Sequence, residues 1–176
     1  MDTGKKLMEA EYFLEILLQT DFNKRDEFHY NLSAFLSAWR SIFDIMLYDF
    51  AEIFKIGLSR ESKIYDESFA LAAHNTQNTQ ALGFIKWWRK KVNNLSKNRL
   101  WDMRPEIVHR GYPEMRTKAY ANFSVIVASD NPNLDETQTS KFTVTDSEIL
   151  KMCNEGLDSM KDIVNEAERT FGYTLT

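Results

Sequence analysis

The stretch FHYNLSAFLSAWRSIFDIMLYDFAEIFKI, Phe28 to Ile56, decides the fold. Phe28, Leu32, Phe35, Trp39, Ile42, Met46, Asp49 and Ile53 recur at alternating steps of four and three, which places them on one face of an α-helix. All are apolar except Asp49. Leu36, Phe43, Leu47, Phe50 and Phe54 widen the stripe, so the helix must pack on more than one side. Ser33, Ala34, Ser37, Ala38 and Ser41 form a side of small residues that lets a second helix approach closely. At 1.5 Å per residue the helix runs roughly 45 Å, and Gly57 is the natural stop.

Other helices gather around this spine. Leu7, Ala10, Leu14, Leu17 and Leu18 predict an amphipathic helix from Lys5 to about Gln19. Asn23 followed by Asp26 is an imperfect N-cap signal for the spine. Glu67 to Ala73 predicts a short helix, and His74 to Gln80 a polar loop. Ala81, Ile85, Trp88, Val92 and Leu95 predict a strong helix over 80–95. Arg99 to Arg110 predicts a shorter one, interrupted or restarted at Pro105 and stopped by Gly111. The period then changes to two. Ala121, Phe123, Val125 and Val127 alternate with their neighbours as in a strand, and Phe142 and Val144 suggest its partner. Thr145 and Glu148 form a capping-box pattern ahead of a last helix that carries Ile149, Cys153, Gly156, Met160, Ile163, Ala167 and Phe171 on one stripe. The expected architecture is mainly all-α: an up-and-down bundle of four to five helices in a single domain, 1–176, with a β-hairpin over 119–145 inserted before the final helix, 146–171.

Composition narrows the function. The chain has 176 residues, 43% of them hydrophobic, which suffices for a real core and excludes global disorder. One cysteine, Cys153, excludes an internal disulfide and a cysteine-based zinc site. His29, His74 and His109 lie far apart in sequence, and no metal or cofactor is expected. No apolar run approaches the ~20 residues that span a bilayer, and the first residues lack a signal-peptide core. A soluble cytoplasmic protein is the expectation. Phosphate-binding glycine loops, paired-histidine zinc helices and glycine-flanked serine elbows are all missing.

Charge is distributed unevenly. The chain carries a net −4, yet Lys86, Arg89, Lys90, Lys91, Lys97, Arg99, Arg104 and Arg110 are opposed in their own stretch only by Asp102 and Glu106. Such a patch accommodates a polyanion locally even though the whole chain is acidic. Arg40 stands inside the spine, four residues before Asp44, where it forms an ion pair or faces a bound phosphate. Glu11 and Glu15 fit a solvated helix surface, Cys153 a buried inert thiol, and Trp39 and Trp88 the core.

The segment Met103-Arg104-Pro105-Glu106-Ile107-Val108-His109-Arg110-Gly111 places an arginine and a histidine with four residues between them near the end of a bundle. Together with the helix Phe28 to Ser41 and the tryptophan-rich helix Phe84-Ile85-Lys86-Trp87-Trp88, it resembles HEPN domains over roughly residues 28–112. The resemblance implies an all-α bundle, commonly a two-fold homodimer with its Arg–His segments facing each other across a cleft. Active members are metal-independent ribonucleases of toxin or defence systems, paired with an antitoxin or a nucleotidyltransferase. Others have lost activity and serve as interaction or dimerisation modules.

The residues fit such chemistry. In RNA the 2′-hydroxyl attacks the adjacent phosphorus, so a protein needs only proton transfer and charge stabilisation. His109 titrates near neutrality, and Arg104 holds a phosphate bidentately. Lys97, Arg99 and Arg110 follow the backbone, Trp101 stacks a base where exposed, and Arg40 and Glu106 lend support. On a regular helix five residues turn by about 500°, which leaves Arg104 and His109 about 140° apart. A shared dimer cleft relieves that mismatch. Active members usually carry a polar residue, often Asn, directly after the arginine. Here Pro105 offers neither a polar side-chain atom nor an N–H, so ribonuclease and inactive module both stand as expectations.

Overall fold

The computed structural model describes residues 1–21, 24–61, 63–104, 124–125 and 144–175. They form helices α1 (Asp2–Gln19), α2 (Arg25–Ile53), α3 (Asp66–Asn75), α4 (Thr79–Leu95), α5 (Arg99–Arg104) and α6 (Asp146–Phe171). Two short strands, β1 (Ser124–Val125) and β2 (Val144–Thr145), pair antiparallel, Ser124 opposite Thr145 and Val125 opposite Val144. The rest of the hairpin expected over 119–145 lies outside the described residues, and the fold they show is mostly helical.

Contacts fix the directions of the long helices. The start of α1 meets the end of α2 through Thr3 and Asp49. The start of α4 meets the end of α2 through Asn78 and Phe54, and Trp88 Nε1 donates to the Phe43 carbonyl at 3.1 Å. Trp39 Nε1 donates to the Gly156 carbonyl at 2.9 Å, and Phe171 lies against Phe50 and Phe54. Helices α2 and α6 thus run one way and α1 and α4 the other, an up-and-down bundle.

The spine stripe is the core. Phe28, Phe35, Trp39, Phe43 and Phe50 are fully buried, with Phe69 and Phe84 from α3 and α4. Aromatic rings fill both ends of this core. Phe50 stacks on Phe84 with centroids 4.1 Å apart, ringed by Phe54, Phe69 and Phe171. Toward the other end Trp39, Phe43, Trp88 and Trp101 meet edge to face. Each such pair adds ~0.5–1.5 kcal/mol beyond the area it buries. Gly156 permits a close approach on α6: a Cβ there would lie 2.5 Å from Leu100 Cδ2 and 3.6 Å from Trp39 Nε1.

Three boundaries differ from expectation, each for a reason outside the local sequence or in turn chemistry. Helix α1 begins at Asp2 rather than Lys5. Its early N–H groups find partners elsewhere: Asp49 Oδ2 accepts from Thr3 N at 2.8 Å and from Thr3 Oγ1 at 2.7 Å, and the Leu175 carbonyl accepts from Gly4 N at 3.0 Å. Helix α2 ends at Ile53 rather than Ile56 because Lys55, not Gly57, makes the first left-handed step, at φ 53°. Lys55 N then donates to the Glu52 carbonyl and Ile56 N to the Ala51 carbonyl, a Schellman closure. Part of the expected loop at 74–80 is a junction. Asn78 N donates to the Ala73 carbonyl and closes α3, its side-chain oxygen accepts from Ala81 N and caps α4, and its amide donates to the Phe54 carbonyl at the end of α2.

Asp49 also explains the polar interruption in the stripe. It is 0% exposed, and Arg60 Nη2 donates to its second oxygen at 2.7 Å. Arg60 reaches Glu52 at 3.0 Å and pairs with Asp2 as well. The Asp2 carboxyl is held below its ordinary range by hydrogen bonds from Lys5 and then Arg60, while those same carboxylates push the Arg60 guanidinium up. Arg60 is half-exposed and keeps Asp2 and Glu52, but loss of Asp49 strands the N–H and hydroxyl of buried Thr3. Asp49→Ala should cost about 2–4 kcal/mol in urea unfolding, and Asp49→Asn less, because an amide oxygen still accepts from Thr3. Lys55→Gly should instead stabilise by about 0.5–1 kcal/mol, the relief of the left-handed strain less the entropy of glycine. Loss of stability in that variant would show the turn to be unstrained.

Candidate functional site

The basic stretch divides into spent and unspent cations. Helix α4 buries Ala81, Phe84, Ile85, Trp88 and Leu95, which turns Lys86, Arg89 and Lys90 outward. Arg89 Nε bonds Asp66 Oδ2 at 3.0 Å. Lys91 Nζ lies 2.5 Å from Glu166 Oε2 on α6, and Trp87 Nε1 donates to Glu166 Oε1 at 2.7 Å. Those two donors, Lys91 first, hold the Glu166 carboxyl below its ordinary range. The side chains of Lys86, Lys90 and Lys97 are exposed and make no hydrogen bond or ion pair among the described residues. Their spacing of four and seven residues keeps them on one side of α4 and of the turn that follows it.

That turn leads into α5. Leu100 is fully buried against Gly156, and Trp101 meets Trp39 and Phe43 edge to face at 6.1 and 6.4 Å. The Arg40 guanidinium lies 3.8 Å from the Trp101 ring centroid, with Nη1 3.4 Å from Asp44 Oδ1. Arg40 therefore forms the expected pair with Asp44 and also covers the half-buried Trp101 on which a base was expected to stack. Arg99, exposed at the first position of α5, is engaged by a partner. Arg104 is the last residue of α5. Pro105, Glu106, His109 and Arg110 lie outside the described residues.

An open groove of about 350 Å³ runs beside the unpaired lysines, between the α4–α5 turn and α6. Lys91, Asn94, Leu95 and Asn98 line one side, Asp162 and Ile163 the other. Asn98 Oδ1 accepts from Leu100 N at 2.9 Å. Asp162 is exposed and has no partner. Sequence reading missed this groove because its walls are more than sixty residues apart and neither carries a motif. Asp49, in contrast, was visible as the polar exception on an apolar stripe.

Among the described residues no group of three or more His, Cys, Asp or Glu side chains is arranged to hold a metal ion, and no helix is long and apolar enough to cross a membrane. Cys153 is buried, and burial pushes its thiol up, away from the reactive thiolate. Comparison of the chain with family models, curated proteins and solved structures returns no match.

The Glu166 bridge fastens α4 to α6 beside the groove. Because its folded pKa is depressed, its contribution is present above the ordinary glutamate range and is lost as pH falls through the depressed value. With both side chains partly exposed, Glu166→Gln should cost about 0.5–1 kcal/mol at neutral pH. The gap to the native chain should close in acid. A gap unchanged down to acid would mean that the carboxylate charge contributes nothing.

Proposed function

We propose that the chain is a HEPN-like protein that binds RNA along the basic edge of α4 and the turn into α5, acts as a homodimer in the cytoplasm, and cleaves RNA without a metal through Arg104 and His109. The observation that carries this reading is the trio Lys86, Lys90 and Lys97, exposed and without partners on one side of the helix that leads to α5 and its terminal Arg104. Surface cations that fold stability used would be paired, as Arg89 and Lys91 are. Unpaired lysines in a row retain their counterions for exchange against phosphates. Trp101 contributes by holding α5 against α2, not by stacking a base, since Arg40 already lies on its ring.

In the proposed reaction His109 takes the proton of the 2′-hydroxyl as its oxygen attacks phosphorus, and Arg104 neutralises charge on the non-bridging oxygens. As the P–O2′ bond forms the P–O5′ bond breaks, the 5′-oxygen leaves as a hydroxyl with a proton from water, and the other product end is a 2′,3′-cyclic phosphate. A hairpin over 119–145, built on the β1–β2 ladder, belongs to the same proposal as an insert before the last helix. Pro105 favours a second reading, an inactive module that dimerises or binds a protein such as a nucleotidyltransferase or antitoxin. Exposed Met8 and Tyr12 on α1 offer it an apolar surface.

RNA integrity in EDTA separates the two. Cleavage that leaves 2′,3′-cyclic phosphate ends, reduced at least 100-fold in Arg104→Ala and His109→Ala, is the expected result. Intact RNA across several substrates, or cleavage indifferent to both substitutions, sinks the catalytic reading. Independently, Lys86→Glu with Lys90→Glu should weaken single-stranded RNA binding and flatten its salt dependence.

A further inference from the structure

We propose that the groove between the α4–α5 turn and α6 is a subsite for one unpaired guanine, with Asp162 as the residue that selects it. This rests on the RNA-binding reading above, because the strand along Lys86, Lys90 and Lys97 is what brings a base to the groove.

The groove offers a small space with apolar and polar lining. At about 350 Å³ it lies at the small end of the range for ligand sites. Leu95 and Ile163 give hydrocarbon walls for the faces of a ring. Some of its polar groups are committed, Lys91 to Glu166 and the Ser159 hydroxyl to the Glu155 carbonyl, and others are not. Asp162 has no partner, and an ionised carboxylate only accepts hydrogen bonds. Asn98 spends its side-chain oxygen on Leu100 N, so the NH2 of that amide remains to donate. The exposed Asn94 amide borders the same space. The charge of Lys91 is already matched by Glu166, which leaves Asp162 to serve a ligand.

A carboxylate and an amide NH2 that line one groove supply the acceptors and the donor that complement one base edge. Guanine presents N2–H and N1–H side by side, then the O6 acceptor. A carboxylate takes both N–H groups together, and an amide NH2 meets O6. The other bases fail against the same groups. Adenine places the N1 lone pair and cytosine the N3 lone pair toward the carboxylate, each with a single flanking amino group. Uracil has one N–H between two carbonyl oxygens, both repelled by Asp162. The unpaired acceptor therefore discriminates by repulsion as well as by bonding.

The test uses the full chain in EDTA, with the side-chain amide signals of Asn94 and Asn98 followed by 1H–15N NMR during titration with 5′-GMP, AMP, CMP and UMP. Shifts with GMP alone, abolished in Asp162→Asn while the backbone spectrum is otherwise unchanged, are expected. The substitution places an NH2 where an acceptor is required. No shift with GMP, or equal shifts with all four nucleotides, overturns the subsite. A parallel anisotropy measurement compares uridine-rich RNA strands with and without one guanine. A preference of about tenfold for guanine, lost in Asp162→Asn, is expected. RNA that binds equally with and without guanine overturns the subsite and leaves the RNA reading standing. RNA that does not bind at all overturns the RNA reading, and the GMP titration still decides the groove.

Discussion

Asp49 is a charge at the centre of an apolar stripe, and the arrangement of three segments depends on its being satisfied there. Its two oxygens receive the start of α1 through Thr3 and the α2–α3 connection through Arg60. A fully buried carboxylate is costly unless it is both paired and hydrogen-bonded, so the fold is obliged to bring these groups together. Many apolar packings of α1 on α2 would bury similar area. Only one in which Thr3 reaches Asp49 also satisfies the charge, and register is fixed by that requirement. Arg60 shares itself with Asp2 and Glu52, which keeps the end of α2 and the start of α1 together at one end of the bundle.

The other end is organised by aromatic rings rather than by charge. Trp39 donates to the Gly156 carbonyl, Trp88 to the Phe43 carbonyl, and Trp101 is held between the core and the Arg40 guanidinium. Each tryptophan thus contributes both area and a direction, since its N–H needs a partner when buried. The consequence is a short helix, α5, seated on α2 and α6 by Leu100 and Trp101. The proposed RNA surface begins at this seat. The lysines there are unspent because in the same stretch Arg89 and Lys91 make the ion pairs to α3 and α6.

Much of the helical framework was legible in the sequence. The step of four and three over 28–56 is sufficient to call a long buried helix, and the same step marks α1, α4 and α6, the last with boundaries of 146 and 171 matched by Asp146–Phe171. Gly156 stood in the sequence only as one position of the last stripe, and its close approach to Leu100 and Trp39 came from the packing. Boundaries were less legible, because they depend on partners supplied from afar: Asp49 for α1, and for α2 a left-handed Lys55 in place of the nearby Gly57. Asn78, within a run that looks like an undifferentiated polar loop, serves three helices at once. Nothing in its own neighbourhood announces the Phe54 carbonyl.

For the site the division is sharper. Sequence alone determined that this is a mainly helical chain with a wide aromatic stripe, a basic stretch from Lys86 to Arg110, and the Arg104–His109 spacing on which the resemblance rests. Those properties are local: they follow from periodicity, composition and order along the chain. Tertiary structure alone decided which cations are spent and which remain free, that Arg40 covers Trp101, and that Asp162 and Asn98 line one groove. Pairing is a matter of distance in space, and the partners of Arg89, Lys91 and Asp49 lie eleven to seventy-five residues away. No local pattern encodes a contact whose two halves are set by the packing of whole helices.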